Sequence, residues 1–454
     1  MHIAEAVRKQ REYFDTGATR PIDFRLEQLR KLKQAVKSNE QEILDALNAD
    51  LGKAPFEAYE TEIGIVYDEV NFALKHLRSW TKPKKVRTPL QNLPSRSYIL
   101  FEPRGTALII GPWNFPLQLI LVPLIGSISA GNTSVVKPSE VASNTSRILN
   151  EIITKTFSPQ YISIFEGGPN VSEELLKQKF DFIFFTGGTK IGRVVAEHAA
   201  KNLTPTLLEL GGKSPCIIDQ DTNLEVTARR IAWGKFLNAG QTCVAPDYVL
   251  APSSLYDPLL TRLKEQIEIL FGTDPFQSPD YSRIISDRHF ERLANSIKGN
   301  IFMGGQSDRN SRYISPTIIR DVSIEDEIMS EEIFGPILPV LKYESIDDAI
   351  NVIKTRPNPL SLYLFTNNKD VEKKILDTVS FGGGCVNDCL IQFNNPNLPF
   401  GGVGTSGIGA YHGKFSFDAF SHQKGLVRSS AGIDIPLRYP PYGKRLNLLR
   451  RIIK

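Results

Sequence analysis

RGTALIIGPWNFPLQLILVPLIGSISAGNTSVVK, residues 104–137, decides the class of this chain. No charged residue occurs between Arg104 and Lys137, an interval of 32 residues. That length is enough for a membrane span, for which about 18–20 apolar residues suffice. The run is broken, however, by Pro112, Pro116 and Pro123, by Gly111, Gly126 and Gly131, and by Asn114, Gln118 and Asn132. Its pieces read as a short strand over Thr106–Ile110, a turn around Pro112–Pro116, and a helix starting near Leu117. The stretch therefore reads as the buried heart of a soluble domain, with an apolar groove as the alternative.

From this point the pattern repeats. Short runs that are apolar throughout, at 106–110, 134–136, 161–165, 181–185 and 206–209, alternate with loop or helical segments. Strands without polar alternation belong to parallel sheets covered on both faces, so a βα-type nucleotide-binding architecture is expected. A second α/β unit is expected over about 210–420. Its helices are read at 221–237, 255–270, 346–355 and 370–378, and its strands at 215–218, 247–251, 312–319, 337–342 and 361–366. Ahead of both units, residues 23–51 and 57–80 have helical periodicity, with Ser38 and Gln41 read as a capping box. Pro83, Pro89 and Pro94 then break the helix and lead into an extended segment at 98–101. The aromatic segment 411–430 reads as an edge or subunit-contact element.

Composition bounds the function. The 454 residues suit two to four domains, and four cysteines exclude a disulfide scaffold and suggest a reducing compartment. The net charge of +4 is too small to argue for a nucleic-acid partner. It is also unevenly placed. Residues 435–454 carry six basic side chains and no acidic one, which leaves residues 1–434 at −2. The N-terminus has scattered charges and no apolar signal core, so no secretory signal is expected. The six histidines form no HxxxH or HxH set, and Cys385 and Cys389 are spaced CxxxC, so no metal site is expected. No G-x-S-x-G elbow is present, which removes a serine hydrolase of that type.

Candidate chemistry lies in four places. Cys243 follows Gly240-Gln241-Thr242 in a polar turn; read alone, it is a small core residue more readily than a nucleophile. Glu209 ends an apolar strand before Gly211-Gly212, where open α/β sheets place ligands, or else it pairs with a nearby lysine. Partial burial there would raise its pKa towards the general-base range. Thr186-Gly187-Gly188-Thr189-Lys190-Ile191-Gly192 joins a strand to a helix and can face phosphate, although it matches neither standard glycine fingerprint. Lys137 and Glu140 follow the strand 134–136 and suit ribose hydroxyls, or form a solvated ion pair.

Taken in order, Pro112-Trp113-Asn114-Phe115-Pro116, Phe185-Thr186-Gly187-Gly188, Glu209-Leu210-Gly211-Gly212-Lys213-Ser214-Pro215, Gly240-Gln241-Thr242-Cys243 and Glu332-Ile333-Phe334-Gly335-Pro336 resemble the aldehyde dehydrogenase superfamily. The resemblance covers about residues 5–430. The short N-terminus, Gln241-Thr242-Cys243-Val244-Ala245-Pro246-Asp247-Tyr248 and the end Gly401-Gly402-Val403-Gly404…Tyr411-His412-Gly413 are similar to the class 3, or fatty aldehyde, branch. This resemblance implies an α/β fold with a parallel-sheet NAD(P)-binding domain over 1–80 and 100–208. A catalytic domain would occupy 209–412, a bridging or oligomerisation element 81–99 and 413–430, and a basic tail 431–454.

It also implies NAD(P)-dependent oxidation of medium- to long-chain aliphatic aldehydes by a homodimer. Cys243 would be the nucleophile, Asn114 and the Cys243 backbone N–H the oxyanion hole, and Glu209 the base that hydrolyses the thioester. A glutamate at 209 argues against the acyl-transfer branches. Trp113, Lys137, Glu140, Gly187, Gly188, Gly192, Glu332 and Phe334 would surround the cofactor. Gly188 replaces a common serine, removing one hydroxyl near the phosphates. Glu140 favours NAD, because a carboxylate repels a 2′-phosphate, while class 3 members often accept NADP as well. The competing readings are a cysteine-dependent ester hydrolase and a binding protein that retains the fold.

The tail Pro436–Lys454 is open between a lid over the substrate tunnel, a basic amphipathic contact with a membrane, and a plain surface tail. No apolar span of 18 residues follows, so no integral anchor is expected. The expected setting is cytoplasmic, or peripheral to a membrane through the tail.

Overall fold

The computed structural model describes residues 2–434, 436–443 and 445–453. The charge-free run folds as its breaks dictate. Thr106–Ile110 is a strand buried at every position, and Gln118–Ala130 is a helix whose 13 residues are all buried. At 1.5 Å per residue that helix is about 20 Å long, shorter than the ~30 Å apolar core of a bilayer. It stops at Gly131, which caps it in the left-handed conformation (φ 93°). Among the described residues, no helix is long and apolar enough to cross a membrane.

Thr106–Ile110 lies inside a six-stranded sheet ordered Gly407–Ile408, Thr206–Glu209, Phe182–Thr186, Thr106–Ile110, Thr133–Lys137, Ile162–Ile164. All its pairings are parallel except that of Gly407–Ile408 with Thr206–Glu209. A second, seven-stranded sheet runs Asn300–Met303, Thr317–Arg320, Ile337–Tyr343, Tyr248–Pro252, Pro215–Ile218, Ser361–Phe365, Gly383–Val386. It is parallel apart from its first strand. The fold is thus α/β; one apolar cluster covers the seven-stranded sheet, and two others cover the opposite faces of the six-stranded one.

Three expectations are corrected. The strand read at 312–319 is two strands, Tyr313–Ile314 and Thr317–Arg320. Ser315-Pro316 separates them, and a proline has no N–H to continue a ladder. Ser38 is the last residue of the helix Ile22–Ser38 and accepts from Gln34 instead of capping Glu40–Leu51. The helix read over 57–80 starts at Pro55 and widens into a π-helical turn at Tyr59–Ile63 before Gly64–Trp80. Extra-wide turns of this kind are frequent at functional sites; this one buries Glu62 completely.

A three-stranded antiparallel sheet, Lys84–Val86, Arg96–Pro103 and Ser421–Arg428, stands apart from both large sheets. Its central strand runs across residue 100, and Gly407–Ile408 belongs to the six-stranded sheet. The divisions drawn at 99/100 and 209–412 therefore cut through continuous structure.

Candidate active site

Glu209 and Thr186 end adjacent strands of the six-stranded sheet, and Cys243 lies in the loop before Tyr248–Pro252 of the other sheet. These three side chains line two hollows at once. The larger, about 570 Å³, also borders Trp113, Asn114, Gly187, Gly188, Glu332 and Phe334. The smaller is walled by Phe115, Leu119, Leu237, Leu390, Phe393 and Phe400, with Tyr411 and His412. A sulfur and a carboxylate are thus reachable from a polar side and from an apolar side.

The loop that carries Cys243 is strained into place. Asn238, Ala239 and Gly240 are consecutive left-handed residues (φ 52°, 50° and 72°). Asparagine and glycine tolerate this region, but an alanine there costs about 1–2 kcal/mol. A side chain at 240 would stand 2.3 Å from the Gly335 carbonyl oxygen, so only glycine fits. Buried Gln241 holds the turn by donating to the carbonyls of Asn238 and Arg283 (both 3.0 Å) and accepting from the Ile285 N–H (3.0 Å). The Asn114 amide donates to the Gln241 carbonyl (3.1 Å), which brings the Pro112–Pro116 turn against the cysteine loop.

Burial raises the pKa of both reactive groups. Burial raises the Glu209 carboxyl well above the usual carboxylate range, opposed only by the Gly402 backbone N–H. The Cys243 thiol is pushed up by burial and then by the charges of Glu209 and Glu332. Glu332 is raised to about 8 by burial and by repulsion from Asp247. Glu209 Oε1, Thr186 Oγ1, Thr242 Oγ1 and Tyr411 Oη are buried without a hydrogen-bond partner in the protein. Buried polar atoms of this kind are normally satisfied by a ligand or water.

Phe334 is itself left-handed (φ 51°) and meets Trp113 edge-on at 5.3 Å. Its segment is held by Lys213, which donates to Asp247 (2.6 Å) and to the carbonyls of Ile328 and Glu331 (both 3.0 Å). Arg292 holds the Ile333 carbonyl (2.7 Å). Glu332 folds over Gly211, where an added Cβ would lie 2.0 Å from its Oε2.

The large hollow suits a dinucleotide. Lys190, Arg193, Lys213, Arg292 and Arg356 line it, as does the N-terminus of the helix Thr189–Lys201, where Gly188 offers no side-chain cap. Cations and free backbone N–H groups at a helix start are what a pyrophosphate requires. The bareness of Gly188 leaves open space, with no atom within 4 Å of a Cβ placed there.

Three expected cofactor residues do not line this hollow. Gly192 faces inward, where a Cβ would meet Leu210 at 2.4 Å, so its smallness lets the helix pack closely on the strand end. Lys137 and Glu140 pair with each other at 2.8 Å beyond the next strand of the sheet edge. Conversely, His289 and Arg292 were not legible as site residues. They lie one turn apart on the helix Asp287–Ser296, and His289 packs on Trp113 at 4.7 Å. Lys190 and Arg193 flank Gly192 in the opening residues of the helix Thr189–Lys201, and that position is the available signal.

The profile described as the Aldehyde dehydrogenase family matches residues 1–426. This chain belongs to the aldehyde dehydrogenase family. Members use NAD or NADP, and the protein is accordingly an NAD(P)-dependent enzyme that oxidises aldehydes. It is 48% identical to the 4,4′-diaponeurosporen-aldehyde dehydrogenase of Staphylococcus aureus, over 97% of each chain. It is 46% identical to aldehyde dehydrogenase family 3 member A2 of Mus musculus, over 96% of this chain and 90% of the other. The substrate-bound AldH of Staphylococcus aureus superposes with a TM-score of 0.99 at 47% identity, covering all of both chains. These relatives place the dehydrogenase in the class 3 branch.

Proposed function

We propose that this dehydrogenase oxidises medium- to long-chain aliphatic aldehydes through a covalent intermediate on Cys243. The observation that carries the reading is that Cys243 and Glu209 line both hollows. One hollow then takes the cofactor and the apolar one takes the aldehyde chain, with the carbonyl carbon between them. The six-stranded unit is the cofactor-binding domain, and the seven-stranded unit supplies the nucleophile.

The Cys243 sulfur bonds to the carbonyl carbon as the C=O π pair moves onto oxygen, and the thiol proton passes to water in the site, leaving the thiohemiacetal as its alkoxide. The Asn114 side-chain N–H and the Cys243 backbone N–H face the developing oxyanion. When bound, NAD(P) supplies the hydride acceptor, and the chain's part is to hold it. Glu332 holds the nicotinamide ribose, with Phe334 and Trp113 packed around it, while Lys190, Arg193, Gly187 and Gly188 lie on the pyrophosphate side. Lys137 and Glu140 take the adenosine ribose once their mutual ion pair opens. The thioester is then hydrolysed by a water molecule that gives its proton to Glu209.

NADH absorbance with aldehydes from acetaldehyde to hexadecanal, plus benzaldehyde, tests the substrate class. The highest kcat/KM should fall on the longer aliphatic members, and a maximum at acetaldehyde would remove that assignment. For Glu332, Gly211→Ala forces the carboxylate off its seat. Cofactor affinity should weaken about tenfold, or ~1.4 kcal/mol, by fluorescence titration of NADH. An unchanged Kd would separate Glu332 from the ribose.

The enzyme acts as a homodimer, with the three-stranded sheet as the bridging element. The exposed edge side chains of Ser421–Arg428 support this reading. The tail contacts a membrane surface or covers the tunnel. Its helix Leu446–Ile453 exposes Leu446 and Leu449, and Arg445, Arg450 and Arg451 add positive charge beside them. Leu448, Ile452 and Ile453, which enter the amphipathic reading, lie outside the described side chains. Deleting 436–454 should shift chain-length preference or reduce binding to anionic vesicles, and no change in either would leave a plain tail.

A further inference from the structure

A second asparagine stands behind the first. The Asn238 side-chain amide spends both of its N–H groups, one on the Asn114 carbonyl (2.9 Å) and one on the Gln241 carbonyl (3.1 Å). The Gln241 carbonyl also accepts from the Asn114 side-chain amide (3.1 Å). Two amides and two carbonyls therefore close a buried ring between the turn that carries Asn114 and the loop that carries Cys243. A primary amide has two N–H donors. With one N–H of Asn114 committed to Gln241, the other has its direction fixed.

We propose that Asn238 is a positioning residue that sets the oxyanion-binding geometry of Asn114 against Cys243. This rests on the reading of Asn114 as an oxyanion donor. Nothing in Asn238 touches the substrate; it acts by holding the turn that carries Asn114 against the cysteine loop, which aims the Asn114 amide.

The ring is anchored from below by buried charges. The Asn238 N–H donates to Glu57 Oε1 (2.9 Å), and Lys53 Nζ donates to the Asn114 carbonyl (3.2 Å) and to Glu62 Oε1 (2.9 Å). Glu62 Oε2 in turn accepts from the N–H groups of Leu117 and Gln118 (both 3.0 Å), where the buried helix begins. Lys53 and Glu62 are fully buried, and apart from the ion pair between them each of these bonds reaches the segment 114–118 or the cysteine loop. The left-handed backbone at 238 suits this role. It turns the side chain back across the loop, and asparagine is one of the few residues that adopts that conformation readily. A displacement of about 1 Å in such a constellation can cost about 10² in rate.

Asn238→Gly keeps the left-handed backbone at little cost and removes both donors. The expected result is a kcat about 10²-fold below wild type, the size of losing one oxyanion donor. NADH affinity by fluorescence titration should stay unchanged. Asn238→Asp, nearly isosteric but without the N–H donors, should lower kcat in the same way and serves if the glycine variant does not fold. The double variant Asn114→Ala/Asn238→Gly should be no slower than Asn114→Ala alone, because Asn238 acts through Asn114. A purely structural asparagine would lower the melting temperature with kcat kept, and that result overturns the proposal. So do losses in the double variant that multiply. An impaired Asn114→Ala beside an unimpaired Asn238→Gly defeats this proposal alone, whereas an unimpaired Asn114→Ala removes the oxyanion reading and this proposal with it.

Discussion

Cys243→Ala should form no NADH from any aldehyde above background, a fall of about 10⁴-fold or more, because the route through a covalent intermediate loses its only nucleophile. Cofactor affinity should survive. The cations and the helix start that suit the pyrophosphate, Lys190, Arg193 and Gly188, belong to the other sheet's unit and do not depend on the sulfur. The measurement pairs NADH absorbance under turnover with fluorescence titration of NADH. Wild-type-like turnover would sink the nucleophile assignment, whereas loss of cofactor binding would mean that the substitution had disturbed the fold. The same variant separates the competing readings. An ester hydrolase using this cysteine would lose ester cleavage but would never have made NADH from aldehydes, and a binding protein would show no turnover to lose.

The thiol has a second testable property. Burial and the neighbouring Glu209 and Glu332 carboxylates raise its pKa, so the free enzyme holds it protonated at neutral pH. Alkylation by iodoacetamide should therefore be slow near pH 7 and rise steadily with pH, since only the thiolate reacts.

Much of this is legible in the sequence, for identifiable physical reasons. The five apolar runs of the first sheet declared themselves because a strand buried on both faces has no polar alternation to confuse with a helix. The charge-free run was separable from a membrane span because its prolines and glycines punctuate it. What stayed hidden is tertiary. Nothing local to Lys53, Glu57 or Glu62 reveals that a π-helical turn rolls Glu62 inward onto the start of another helix. His289 and Arg292 sit in a polar helix far along the chain and meet Trp113 and the Glu332 segment only after folding. Gly192 is ambiguous for a related reason. A glycine one turn into a helix after a strand serves phosphate approach or close packing equally well, and only Leu210 against it decides for packing.

Glu209→Gln should divide the reaction in two. The first turnover needs the sulfur and the oxyanion donors, so a burst approaching one NADH per site should remain. Hydrolysis of the thioester then lacks its base, and the steady rate should fall by about 10²–10⁴-fold, the usual worth of a positioned general base. Intact-protein mass spectrometry after the burst should find the acyl group on Cys243. An unchanged steady rate, or a burst without the adduct, would remove Glu209 as the base. The pH dependence has a definite sign. Burial raises this carboxyl well above the usual carboxylate range, and only its ionised form accepts a proton. Wild-type deacylation should therefore climb with pH until Glu209 is ionised, and the glutamine variant should lose that limb. Stability moves the other way. Below the unfolded pKa both states keep the proton and the buried carboxyl costs nothing. As pH rises past it, the unfolded chain ionises while the folded one does not, so the native state loses stability. Glutamine has no proton to lose. Its melting temperature should match wild type in acid and exceed it at alkaline pH, a gain in stability from the same change that stops turnover.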